Sequence, residues 1–164
     1  MQDAMTVIAE DDREVSGSVA QWPAFTQGSD EERLDFFIER DGVRYAGSHL
    51  IIDLDGASRL DDLEVMEQAL RDSIEAAGAT LLHIHLHHFT PNGGISGVAV
   101  LAESHISVHT WPERDFAAFD VFMCGEAQPM KAVPVLEAAF KPSKVNVDEL
   151  LRGKRKVEDD DYLR

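Results

Sequence analysis

Between Thr80 and Met123 the chain passes through four apolar stretches with no helical period among them, and this run constrains the fold more than any other feature. Thr80 to Phe89, Ile95 to Leu101, Ile106 to Thr110 and Phe116 to Met123 each read as a strand, and Pro91, Asn92, Gly93 and Gly94 break the chain between the first two. An earlier strand is expected over Arg44 to Leu54. Gly56 and Ser58 then turn into a helix in which Leu60, Leu63, Val65, Met66, Ala69, Leu70 and Ile74 recur at helical spacing until Gly78 ends it. Pro129 to Phe140 has helical spacing with a proline near its start, and Val145 and Val147 mark a last strand. The order β-α-β-β-β-β-α-β is an α+β pattern.

The flanks differ from this middle in charge. Of the net −16, residues 1–41 carry −8, residues 42–151 carry −9 and residues 152–164 carry +1. We therefore divide the chain into an acidic, partly ordered extension (1–46), one folded domain (47–151) and a charged, solvated tail (152–164). Within the extension, Ser29 and Glu32 give a capping-box signal, and Leu34, Phe36, Phe37 and Ile38 are expected to form a short helix or strand docking on the core. A pI near 4.6 argues against a surface for nucleic acid or anionic membrane, which needs clustered Lys and Arg. Cys124 is the single cysteine, so an intrachain disulfide framework is excluded. The acidic start does not resemble a signal peptide and no run of about 18 apolar residues occurs, so a cytoplasmic location is expected.

Two segments carry residues capable of chemistry. His83, His85 and His87 alternate, with His88 beside them; in a strand the three share a face and three imidazoles could converge on a metal ion as neutral ligands. The competing reading is a half-buried sheet face, since no carboxylate or cysteine lies at ligand spacing. The second segment, Ala102 to Glu113, is polar for a stretch between two apolar strands. It brings Ser104 and Ser107, His105 and His109, and Glu103 and Glu113 close together in sequence, as a nucleophile and base require. A Ser/His hydrolase is one reading, but the Gly-x-Ser-x-Gly elbow is absent. A polar turn between strands is the other.

The strings His87-x-Phe89-x-Pro91, Ser96-Gly97, Ala102-Glu103-Ser104-His105, His109-Thr110-x-Pro112-Glu113 and Asp120-x-Phe122-x-Cys124-Gly125 together resemble the prokaryotic S-adenosylmethionine decarboxylases. The likeness runs in fixed order from Gly47-x-His49-Leu50 to Val147. One departure is the loop from Pro91 to Ser96, a residue longer than the usual Pro-x-Gly-x-Ser form.

The resemblance implies a self-cleaving proenzyme whose cofactor is a pyruvoyl group made from its own Ser104. It places the cut at Glu103–Ser104, leaving chains of 103 and 61 residues. His109 would be the base of processing, Ser96 a hydroxyl assisting it, and Cys124 the proton donor in catalysis, with the pyruvoyl holding substrate as a Schiff base and accepting the electrons released by decarboxylation. Phe89 falls at the adenine-stacking position and Glu113 at that of the ribose ligand, with Trp111 a further binding candidate. For Phe89 and Trp111, ordinary core packing is the alternative. The implied activity is S-adenosylmethionine decarboxylation, which supplies the aminopropyl donor for spermidine synthesis. Arginine or ornithine decarboxylation by the same machinery is the alternative, and a histidine-rich metal-binding module a lesser one. No metal is implied by the resemblance. The implied fold is a two-layer α+β sandwich, an antiparallel sheet with two helices packed on one face, in a homodimer.

Overall fold

A computed structural model describes residues 37–156. Six antiparallel strands form the main sheet: β3 (Gly47–Asp55), β4 (Leu81–His88), β5 (Ile95–Leu101), β6 (Ser104–Trp111), β7 (Phe116–Met123) and β8 (Lys144–Arg152), in the order β4-β5-β6-β7-β3-β8. A smaller sheet joins β1 (Ile38–Arg40), β2 (Val43–Tyr45) and β9 (Arg155–Lys156). The hairpin between β1 and β2 turns on Asp41-Gly42, both at positive φ (54° and 73°), as a two-residue hairpin turn of this hand requires. The sheet tying residues 38–45 to 155–156 thus draws on both the extension and the tail.

Helix α1 (Leu63–Ala77) begins where Asp62 accepts a hydrogen bond from the Val65 amide at 3.1 Å, and it stops at Gly78, which takes the left-handed conformation at φ 74°. Its Met66, Ala69, Leu70, Ile74 and Ala77 are buried at helical spacing. Helix α2 (Ala132–Phe140) follows a 3₁₀ turn at Pro129–Lys131, and its Pro134 sits in the first turn, where a missing N–H costs nothing. The two helices pack together and cover one face of the sheet, burying Leu50, Ile52 and Leu54 of β3, Ile106 and Val108 of β6, and Phe119 and Val121 of β7. The two-layer α+β sandwich with both helices on one face is therefore the observed architecture. No helix among the described residues is long and apolar enough to cross a membrane.

Three expectations change in detail. The strand expected over Arg44 to Leu54 is two strands, interrupted at Ala46, whose amide instead reaches Arg152 O at 2.8 Å. Leu60 lies in the turn before α1, buried without being helical. The strand expected at Ile106 to Thr110 runs from Ser104 to Trp111, so most of the polar segment is strand rather than turn. Ile38 opens a strand, whereas Ser29, Glu32, Leu34 and Phe36 lie outside the described residues.

Strand alternation decides where chemistry can occur. Ile106, Val108 and Thr110 point into the core, so His105, Ser107, His109 and Trp111 point to the helix-free face. The ladders place His83, Val100, His105, Phe122 and His49 in one row across that face, and His87, Ser96, His109 and Ala118 in another. Polar and titratable side chains thus collect on the face without helices.

Candidate active site

The site residues expected from sequence fall into two groups at opposite ends of β6. The first group surrounds the turn between β5 and β6, where Leu101 pairs with Ser104 and only Ala102 and Glu103 form the corner. Glu103 adopts φ 69°, a left-handed conformation that costs a side-chain-bearing residue about 1 kcal/mol. β7 ends alongside, bringing Cys124 against the turn. The Cys124 thiol donates to Glu103 O at 2.9 Å, and the Cys124 amide lies 3.4 Å from Ser104 Oγ. Ser104 Oγ and Cys124 Sγ are 4.0 Å apart. Burial raises the Cys124 pKa, the Ser104 hydrogen bond opposes that shift, and the Glu103 charge adds to it. Glu103 is itself shifted upward by desolvation. The sulfur is accordingly held as a thiol, able to donate a proton.

The second group lines a cavity of about 350 Å³ at the far end of β5 and β6, shared by Phe89, Ser96, His109, Trp111 and Glu113. Ser96 and His109 are cross-strand partners, with Ser96 Oγ 2.8 Å from His109 Nδ1. Phe89 follows the end of β4 and is fixed by two backbone bonds that close its loop, Phe89 N to Gly94 O at 2.8 Å and Gly93 N to Phe89 O at 2.9 Å. The longer loop therefore still leaves Phe89 and Ser96 in one cavity. Beneath it, buried Thr110 accepts from the Ile95 amide at 2.7 Å and donates to Leu60 O at 2.8 Å, pinning the cavity floor to the segment leading into α1. Glu113 stands on the 3₁₀ turn Pro112–Arg114. Phe89 and Trp111 are 47% and 41% exposed, so ordinary core packing does not account for them; flat aromatic faces open to a cavity suit a planar ligand.

Five residues separate Ser104 from His109 along an extended strand, which at about 3.3 Å per residue is roughly 16 Å. Within one chain the expected cut bond and its expected base therefore do not meet. The same separation rules out Ser104 and His109 as the nucleophile and base of a hydrolase, which must come within hydrogen-bond reach, and the Ser107 hydroxyl is given to Asp120.

The histidine tract is also corrected. His83, His85 and His87 do share the helix-free face, but residues two apart on a strand sit about 6–7 Å apart, too far for three imidazoles on one flat strand to meet around an ion. Among the described residues no group of three metal-competent side chains is gathered, and the metal-binding module is not supported. His87 instead packs edge-on against Phe89, ring centroids 4.5 Å apart. Sequence reasoning missed a polar cluster beside Cys124, formed by His49, His105, Ser107, Asp120 and Arg152. Only its β6 members carry a local signal, the alternation of His105, Ser107 and His109 with apolar residues.

A family model described as S-adenosylmethionine decarboxylase matches residues 48–153. The S-adenosylmethionine decarboxylase proenzyme of Thermomicrobium roseum is 44% identical over 112 residues, which cover 68% of this chain and 97% of that protein. That of Methanococcus vannielii is 46% identical over 114 residues, covering 68% and 93%. The crystal structure of the adenosylmethionine decarboxylase from Aquifex aeolicus superposes with a TM-score of 0.59 at 31% identity, over 65% of this chain and 90% of that one.

Proposed function

The chain belongs to the S-adenosylmethionine decarboxylase family, and from that premise we propose that it is a self-cleaving S-adenosylmethionine decarboxylase, supplying the aminopropyl donor for spermidine synthesis, whose active site is completed by a second copy of the chain. The observation that carries this reading is the division of the site into two ends that one protomer keeps apart. In an antiparallel pair of protomers joined through their helix-free faces, the Ser104 end of one copy meets the His109 end of the other. Residues 47–151 would form the catalytic domain, with 1–46 and 152–164 as appendages.

Cleavage at Glu103–Ser104 fits the geometry of the corner. Ser104 Oγ attacks the Glu103 carbonyl, whose oxygen already receives the Cys124 thiol, so negative charge developing on that oxygen meets a placed donor. Transfer of the acyl group from nitrogen to oxygen opens the strained Glu103 corner. His109, oriented by Ser96, then removes the Ser104 Cα proton; the Cβ–O bond breaks and Glu103 leaves as a carboxylate. Tautomerisation and hydrolysis of the resulting dehydroalanine release ammonia and leave a pyruvoyl group on the second chain.

The pyruvoyl, once made, supplies an electron sink for decarboxylation. This chain's residues do the rest. Phe89 and Trp111 offer faces for adenine and attract the sulfonium, worth about 0.5–2 kcal/mol by cation–π attraction depending on desolvation. Glu113 accepts hydrogen bonds from the ribose hydroxyls. Cys124, kept protonated by burial, returns a proton to the substrate carbon. The need for that free thiol suits a reducing cytoplasm. Arginine and ornithine offer neither a ring to stack nor a diol for Glu113, so the cavity favours the nucleoside.

Intact mass and carbon dioxide release test the proposal. Purified protein should resolve into chains of 103 and 61 residues and release carbon dioxide from S-adenosylmethionine. A chain that stays whole on long incubation, or that turns over arginine or ornithine instead, would overturn it.

A further inference from the structure

Four side chains link four strands across the helix-free face, at the end of the sheet that carries Cys124. Arg152 on β8 donates from Nη1 to His49 Nδ1 on β3 at 3.1 Å, His49 Nε2 faces Asp120 Oδ1 on β7 at 3.3 Å, and Ser107 on β6 donates to Asp120 Oδ2 at 3.0 Å. A guanidinium can only donate, so Nδ1 is the acceptor and the ring proton lies on Nε2, toward the carboxylate. His49 Nε2 is buried and has no aligned hydrogen-bond partner; the Asp120 charge beside it is what faces that N–H.

The His49 ring meets Phe122 edge-on at 5.9 Å and His105 at 6.4 Å, while Phe122 stacks on His105 at 5.7 Å. His105 adjoins Ser104, and Phe122 lies two residues before Cys124. The Phe122 ring lies close against Gly47, where an added Cβ would come within 2.7 Å of Phe122 Cζ and of Met123 O. The polar chain thus fixes a ring cluster from which both the serine to be converted and the proton-donating thiol project.

We infer that Asp120 and His49 are a positioning pair that holds the Cys124 thiol in line with the Glu103–Ser104 bond. The pair also spans the cut. His49 belongs to the first product chain and Asp120 to the second, so its hold persists after the peptide connection is lost. This inference rests on the decarboxylase reading for its catalytic consequence, but not for its geometric one.

The geometric consequence is tested first, in uncut Ser104→Ala protein, by alkylation of the sole cysteine with iodoacetamide. Adding Asp120→Ala should speed labelling of Cys124 about tenfold at fixed pH, because the thiol leaves the Glu103 carbonyl. Adding Asp120→Asn, which keeps an acceptor oxygen, should speed it less. An unchanged labelling rate overturns the inference whatever the enzyme's activity. In cleaved protein, Asp120→Ala should lower kcat about tenfold with KM within about twofold, since neither member of the pair lines the aromatic cavity. The His49→Ala/Asp120→Ala double variant should lose no more than the worse single. Multiplicative losses, or a rise in KM alone, would overturn the pair. Ser107→Ala removes only the outer donor; it should show the same split at smaller size, and serves where Asp120→Ala does not fold. Failure of the wild type to release carbon dioxide would refute the decarboxylase reading while leaving the labelling result to stand by itself.

Discussion

The two ends of the β5–β6 hairpin differ in what each lacks. The Ser104 end has a strained corner, a hydroxyl, and a thiol seated on the Glu103 carbonyl, but His109 lies out of its reach. The His109 end has a base, a hydroxyl bonded to it and exposed aromatic rings over a cavity, but nothing to cut. Each is organised for one half of a reaction. On the proposed reading chemistry is coupled to assembly, because each end would need the opposite end of a second copy.

That contrast can be broken most severely at the Ser104 end. Ser104→Ala should abolish cleavage entirely, leaving one 164-residue mass; two chains from that variant would put the cut elsewhere. Next in size is Cys124→Ala, which removes the donor at the Glu103 carbonyl and the proposed catalytic acid together. Cleavage should slow yet proceed, while turnover falls about 10²–10⁴-fold, the usual span for a general acid; turnover near the wild-type rate would displace Cys124 from that role. At the other end, Glu113→Gln should raise KM about tenfold or more through loss of charge-assisted bonds, and Phe89→Ala about two- to tenfold, with cleavage unaffected in both. A cleavage defect in either would give these binding residues a part in processing.

The smallest effect concerns pH. Burial, and then the neighbouring His49, lower the His105 pKa, while Asp120 opposes them. A depressed histidine binds fewer protons folded than unfolded, so its contribution is full above its ordinary value near 6.5 and is lost as pH falls below it. Thermal melting temperature should therefore drop as pH goes from 7 to 5.5, and His105→Gln should flatten that slope. An unchanged slope would show that burial of His105 is not what links stability to acid.

Much of the fold is legible in the residues, and the exceptions share a cause. α1 shows itself because its apolar positions recur on one side and Gly78 supplies the left-handed stop. Its start misleads because Leu60 keeps the helical spacing while packing from the turn before Asp62. β6 hides its full length because Ser104, His105, Ser107 and His109 mask an inward row of only Ile106, Val108 and Thr110. The break at Ala46 is marked only by the Gly47-Ser48 that follows it, too slight a signal to divide a strand by pattern alone. At the site, residue types and motifs point to candidates, but nearness in sequence misleads about nearness in space. Ser104 and His109, five positions apart on paper, are roughly 16 Å apart once the backbone is extended. The polar chain from Arg152 to Ser107 was hidden for the opposite reason, because its members come from four strands distant in sequence.

Mixing two inactive variants tests the division of the site most directly. Ser104→Ala and His109→Ala chains, each expected to remain whole when expressed alone, are co-expressed and their masses measured. If each active site takes its serine from one copy and its base from the other, the His109→Ala chain should appear cut in the mixture, using His109 of its Ser104→Ala partner. If the His109→Ala chain stays whole in a mixture shown to contain paired copies, the two ends do not meet across protomers and the account is wrong.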